Sequence, residues 1–346
     1  METLAKMNRN EWKKIWHHGV HLAKHGQEKS GDDYTIPATK SVELGNTDIN
    51  DKEWVACVRL ALLSPVPSLA FEYWREEGWL AHALPEVNKA WGMNQPELHH
   101  PEIDTGIHLM MVIDRASADG CSEMARWAAL AHDFGKHATY KVNVEEIKRE
   151  SSEENCQEKI FKTRYTYHDH EKQGVPFVQQ RFTGWNIEPV IFELALSVTE
   201  YHGLVHTLDN LKATTILKII KNAEIDSNPE KLNAFCEAVV CDDRGRKGMF
   251  NNIARGTELL KEITLNLIED RKGYAAKFEQ DWNTKVERLL KYKGEDISDN
   301  IDMKESLYET YFAKYEANSI DSFLKKHKAT EANNLNIQEK KHGPSI

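Results

Sequence analysis

The chain has 346 residues, with 45 Lys and Arg against 55 Asp and Glu, a formal net charge of −10. That length supports a sizeable core in one large or two modest domains, and no apolar run exceeds five residues, which excludes a transmembrane helix. Five cysteines without a Cys-x-x-Cys pair, and a start (METLAKMNRNEWKK) without an apolar stretch, point to a soluble cytoplasmic protein rather than a secreted disulfide framework. The acidic balance also weighs against long nucleic acid, whose binding depends on Lys and Arg neutralising phosphates.

Helical periodicity recurs along the chain and strand signals are scarce. Residues 10–25 read as a helix capped by Asn10, with Trp12, Ile15, Trp16 and Ala23 on one face. His17, His21 and His25 recur at spacing four on that helix and read as a solvated face. Residues 26–52 are polar and turn-rich, a loop or linker. Helical patterns resume at Trp54, broken by Pro65, Pro67 and Pro85, and run from His100 to Phe250, interrupted by a charged insertion over 141–167. The spacing stays helical to about Lys326, and the last twenty residues are polar and frayed. The expected division is 1–64 as N-terminal helix and linker, 65–250 as core, 251–326 as C-terminal helices and 327–346 as a flexible tail. No internal repeat and no glycine-rich phosphate loop is visible, and the fold class is all-α.

Chemistry concentrates in the histidines and acids. His108 sits in a continuous apolar run; His132 follows Ala125, Ala128 and Ala129 in helical phase, with Asp133 next to it and Gly135 placed to end that helix. Leu194 and Val198 precede His202 at spacing four, and Phe235, Ala238 and Val239 are in phase with Asp242. Four helices thus each turn one metal-competent side chain inward, and a loop adds His168, Asp169 and His170. Buried His and Asp without partners cost several kcal/mol, so their convergence needs a common cause, and a divalent cation supplies one. Mixed imidazole and carboxylate donors suit Mn, Fe, Co, Ni or Zn, with Mg also admissible, in one or two ions.

The pattern His108, His132-Asp133, Asp242 resembles the H…HD…D signature of the HD-domain metal-dependent phosphohydrolases. Five ordered blocks strengthen the likeness: HPEIDTGIHLM (100–110), ALAHDFGK (129–136), HDHEKQG (168–174), TEYHGLVHT (199–207) and DDRGRKGMF (242–250). Together with FEYWREEGWLAHALPEVNKAWGMNQPE (71–97) they resemble the HD domain of bacterial tRNA nucleotidyltransferases, over roughly half the chain. The resemblance implies an HD-domain helical bundle with additional N- and C-terminal helices. It makes His108, His132, Asp133 and Asp242 the primary metal ligands, with His170 and His202 serving a second ion. Asp133 and Lys136 would be catalytic, and Lys136, His168, His206, Arg244 and Arg246 would contact substrate or phosphate. The block HDHE departs from the family at His168 and Asp169, which leaves open which histidine ligates. No Asp-x-Asp occurs, and residues 1–64 are too short for a nucleotidyltransferase half, so CCA addition is not expected.

The implied reaction is hydrolysis of a phosphoester on a small nucleotide, in the manner of a 2′,3′-cyclic nucleotide phosphodiesterase or 2′-nucleotidase. Two alternatives stand beside it: an HD enzyme degrading a cyclic di- or oligonucleotide messenger, a dNTP or an alarmone, and a non-catalytic nucleotide-binding HD module. The expected partner is a small nucleotide and not a membrane, with a tRNA end left open as a target. Tryptophan-rich terminal helices offer material for an oligomer interface.

Overall fold

The computed structural model describes residues 5–150, 157–298 and 300–341. The chain divides into two compact units, Met1–Gly203 with Asn233–Ala254, and Leu204–Leu232 with Arg255–Ile346.

The first unit opens with α1 (Arg9–His25). Its cap is Asn8, not Asn10: the Asn8 side chain accepts from the Asn10 and Glu11 amides, and the Glu11 carboxylate accepts from the Asn8 amide at 2.7 Å. The reciprocal bond requires an acid three residues after the cap; Asn8 has Glu11 there, whereas Asn10 has Lys13. The face of Trp12, Ile15, Trp16 and Ala23 is buried as its spacing predicts, and α1 packs on α2 (Lys52–Leu62) and α3 (Ser68–Glu76). His17, His21 and His25 lie on the exposed face.

Tryptophans fill this core. Trp12 and Trp16 lie 4.8 and 5.0 Å from Trp79, and Trp54 lies 4.6 Å from Trp74, ring centre to ring centre. Such pairs add about 0.5–1.5 kcal/mol each beyond the area they bury. The loop after α1 is irregular apart from a short parallel pairing of β1 (Ala5–Lys6) with β2 (Val42–Glu43).

Two short helices, α4 (Leu80–Ala83) and α5 (Pro85–Asn88), lead to α6 (Thr105–Ala118). Asp104 caps α6 through the Gly106 and Ile107 amides, and Ser122 caps α7 (Glu123–Ala131). The latter helix stops with His132 at its C-cap, three residues before Gly135, which instead precedes the short α8 (Lys136–Thr139). The charged stretch from 141 forms an antiparallel hairpin, β3 (Lys141–Glu150) with β4 (Gln157–Thr166), in register Lys141 to Thr166. Then come α9 (His170–Gly184) and α10 (Pro189–His206), the latter belonging to this unit as far as Gly203. The unit closes with the part of α12 (Pro229–Arg244) from Asn233 onward. The first unit is a helical bundle that carries one long hairpin, consistent with the expected all-α HD bundle.

In the second unit, α11 (Ala213–Asn222) precedes the long helices α13 (Arg255–Lys293) and α14 (Ile301–Lys341). These pack around Tyr274, Phe278 and Trp282, with Leu307, Tyr308, Phe312 and Tyr315 at the edge. Arg271 ties Asp226 to the buried Glu316. The tail expected from 327 continues α14 to Lys341, and its last five residues lie outside the described ones. Among the described residues no helix is long and apolar enough to cross a membrane.

Candidate metal centre

The six expected ligands of the first unit are delivered by five elements. His108 lies inside α6, His132 and Asp133 at the end of α7, His170 at the first position of α9, His202 in α10 and Asp242 in α12. All are buried except His170, which is half-buried. Three groups bring one donor atom from each member within 4.8 Å of the others: His108, His132 and Asp133; His132, His202 and Asp242; Asp133, His170 and His202.

The imidazoles are oriented by the backbone. His132 Nδ1 pairs with the Ala129 carbonyl at 2.7 Å, His170 Nδ1 with Tyr167 at 2.9 Å, and His202 Nδ1 with Val198 at 3.1 Å. A carbonyl only accepts, so each ring donates from Nδ1 and turns Nε2 toward the cluster as its ligating atom. Those Nε2 atoms face the acids. His132 Nε2 is 3.1 Å from Asp133 Oδ2 and 3.7 Å from Asp242 Oδ1; His170 and His202 Nε2 are 3.4 and 3.6 Å from Asp133 Oδ1. His108 stands between two carboxylates, with Nε2 3.0 Å from Asp242 Oδ1 and Nδ1 3.0 Å from Glu102 Oε1.

Charge and alignment both fit a cation. Neither Asp133 oxygen nor His132 Nε2 makes an aligned hydrogen bond, although all three are buried. Burial opposes ionisation of Asp133, yet His132 and Lys136 outweigh it and hold the carboxyl well below its ordinary range. Burial likewise opposes protonation of His108 and His170, but Asp242 with Glu102 and Asp133 respectively push both upward. His202 goes the other way: burial, followed by repulsion from His132, lowers it to about 3, the neutral form that binds metal. The acids therefore call for positive charge in a pocket that presents imidazole lone pairs. Nitrogen and oxygen donors together suit a borderline divalent ion.

Lys136 is buried beside these residues. Its Nζ donates to Gln95 Oε1 at 2.6 Å and stands 2.7 Å from Asp133 Oδ2. Both Lys136 and His170 line a cleft of about 470 Å³ together with Gln95, His99, Tyr165 and His168. The HDHE block is thereby divided: His170 faces Asp133, while His168 is exposed on the cleft wall. The left-handed backbone of Asp169, φ 61°, separates the two directions.

Arg246 reaches Asp242 at 4.0 Å and Asp243 at 3.4 Å. Arg244 is not brought to the cluster. Its Nε donates to the Asn252 carbonyl and its guanidinium lies 3.6 Å from Asp119, eleven residues and about 16 Å of helix beyond His108. His206 belongs to the second unit, and its substrate role rests on the sequence alone.

Two residues of the cluster were missed in the sequence. Glu102 Oε1 lies 3.0 Å from both His100 Nδ1 and His108 Nδ1, and the three form a fourth metal-competent group. They sit in the turn-rich approach to α6, where no periodicity marks an inward side chain. The available signal was the acid six residues before His108, within a block already conspicuous for its histidines.

No protein-family model matches the chain. Among curated proteins it is similar to the Multifunctional CCA protein of Nitrosospira multiformis, 35% identical over 200 residues, which is 58% of this chain and 43% of that protein. The Multifunctional CCA proteins of Cupriavidus metallidurans and Variovorax paradoxus are 33% and 32% identical over 60% and 63% of this chain. The chain spans slightly under half the length of these relatives. Over about three fifths of its length the chain is therefore a homologue of the multifunctional CCA proteins, with an HD-type arrangement of histidines and acids.

Proposed function

We propose that this protein is an HD-type metal-dependent phosphohydrolase that cleaves a phosphoester of a small nucleotide, with 2′,3′-cyclic and 2′-phosphates as first substrates. The observation that carries the proposal is the set of three histidines whose Nδ1 atoms are held by carbonyls while their Nε2 atoms converge on Asp133 and Asp242. His108, His132, Asp133 and Asp242 would hold one ion, and His170 and His202, with Asp133 shared, a second. Bound ions there would lower the pKa of water and offset charge on the phosphoryl oxygens.

The chain's own groups do the rest. Asp133, ionised and central, shares its carboxylate among the surrounding imidazoles and accepts a proton from the attacking water. Lys136, fixed by Gln95 and Asp133, directs its ammonium to the cleft, where it neutralises charge building on phosphate. Arg246 adds positive charge behind Asp242. The burial of the cluster keeps competing water out and strengthens each of these interactions.

The test is phosphate release and product mapping with Mn, Ni, Co and Mg on 2′,3′-cyclic AMP, 2′-AMP, 3′-AMP, dNTPs, an alarmone and cyclic dinucleotides. Turnover of 2′,3′-cyclic AMP or 2′-AMP that disappears in Asp133→Ala supports the reading. A protein that neither binds any of these metals nor releases phosphate from any substrate refutes it.

A further inference from the structure

The cleft beside the metal centre has an aromatic wall that the reaction does not use. It is built by the hairpin, whose second strand ends at Thr166 and places Tyr165 and Tyr167 two residues apart, on one face. A third ring, Tyr140, precedes the first strand. It lies nearly parallel to Tyr165, 6.2 Å between centres at 11°, and 5.4 Å from Tyr167 at 30°.

All three hydroxyls bond to one residue, and that of Tyr167 also lies 3.2 Å from Thr105 Oγ1. The Asn94 amide donates to Tyr140 Oη at 3.4 Å, Asn94 Nδ2 donates to Tyr165 Oη at 3.2 Å, and Tyr167 Oη donates to the Asn94 carbonyl at 2.6 Å. The hydroxyls pin the rings, so what Tyr165 and Tyr167 offer the cleft is ring surface rather than polar atoms, with Tyr140 behind them. The Lys136 ammonium sits 5.5 Å over the Tyr167 ring, so the cation nearest Asp133 and the aromatic wall are adjacent. A phosphate-binding end and a flat apolar wall thus share a cleft of about 470 Å³, within the size range of small-molecule sites.

We propose that Tyr165, backed by Tyr140 and Tyr167, is the stacking platform for the base of a nucleotide whose phosphate lies at the His170–Lys136 end of the cleft. This rests on the phosphoester reading above and narrows its substrate class. The ligand carries a base; the base is bound by its face, so purines and pyrimidines are both accepted in order of stacking area. Tyr165 is a specificity residue that separates nucleotides from phosphorylated sugars without a base.

Calorimetry on the full chain with Mn tests this, using adenosine 2′-phosphorothioate and, as the same ligand without its base, methyl riboside 2-phosphorothioate. The wild type binds the adenosine ligand more tightly. Tyr165→Leu weakens adenosine binding about 5- to 150-fold and leaves the base-less ligand unchanged. Tyr165→Phe, which keeps the ring and loses only the bond to Asn94, retains most of the preference for adenosine. If the two ligands bind the wild type equally, or if Tyr165→Leu weakens both to the same extent, the platform is refuted and the ring merely holds the hairpin in place. Since binding is measured rather than turnover, failure of hydrolysis on every substrate would refute the phosphohydrolase reading while the preference for adenosine still judged the platform.

Discussion

Gly135 and Gly174 pack backbone against backbone. A Cβ on Gly135 would stand 1.9 Å from the His170 carbonyl oxygen and 2.6 Å from the Gly174 nitrogen. One on Gly174 would meet Thr199 Cγ2 at 2.7 Å. The contact sets the start of α9 directly on the turn that carries Asp133, which is how His170 comes to face that carboxylate. Glycine is required here for closeness and not for dihedral freedom, since Gly135 has an ordinary φ of −79°.

Gly135→Ala should therefore push α9 outward. The expected result is a loss of about 1–3 kcal/mol in stability, as for other overpacked contacts. Metal affinity should fall in parallel because His170 moves away from Asp133. Denaturant melts and a metal titration of the same variant check both, and a variant with unchanged affinity would contradict the coupling.

Glu102 should govern metal affinity without contacting substrate. It fixes His108 from the side opposite Asp242, the place where a carboxylate sets ring orientation and raises donor strength. Glu102→Gln is expected to weaken metal binding by about 10- to 100-fold. A competition assay with a chromogenic chelator measures this independently of turnover.

Metal should stabilise the native state. An ion bound by the folded centre at 100 times its dissociation constant adds about 2.7 kcal/mol, so EDTA should lower the melting temperature and Mn should restore it. In Asp133→Ala the increment should vanish, since that carboxylate is common to two of the donor groups. Differential scanning calorimetry with and without chelator reads the difference.

A pH effect is expected at Glu72, on α3. Burial raises its carboxyl to about 7, against the opposing pull of its partner Lys29. The folded state then holds the proton more tightly than the unfolded chain, whose carboxyl titrates near 4.5. The contribution is fully present below pH 4.5 and is lost as pH rises to about 7. Glu72→Gln should remove this slope, of order 1–3 kcal/mol across that window, relative to the wild type. Urea melts at pH 4.5, 6 and 7.5 would show it.

The cluster of histidines and acids was legible where its residues lie on helices. His132, His202 and Asp242 each follow apolar residues in helical phase and His108 sits in a continuous apolar run, so burial could be inferred from the pattern alone. His170 was ambiguous beside His168, because the separation depends on a left-handed residue at 169 that periodicity does not register. Glu102 and His100 lie on a loop, where spacing carries no phase. The hairpin was obscured by charge: Val142 and Val144 alternate and Tyr165 and Tyr167 do likewise, but both valines are exposed and stand among Lys, Glu and Arg. The cap of α1 was misplaced because two asparagines compete there and only the reciprocal glutamate chooses between them.

The tryptophan core gives the two units separate optical signatures. Eight of the nine tryptophans, at 12, 16, 54, 74, 79, 91, 127 and 185, belong to the first unit, and Trp282 is alone in the second. Rings centred 4.6–5.0 Å apart couple their transitions, so near-ultraviolet dichroism should be dominated by that cluster. Trp282→Phe then leaves an emission spectrum that belongs wholly to the first unit, and the difference from wild type reports the second. The unfolding of each unit can then be followed with light alone, without an added label.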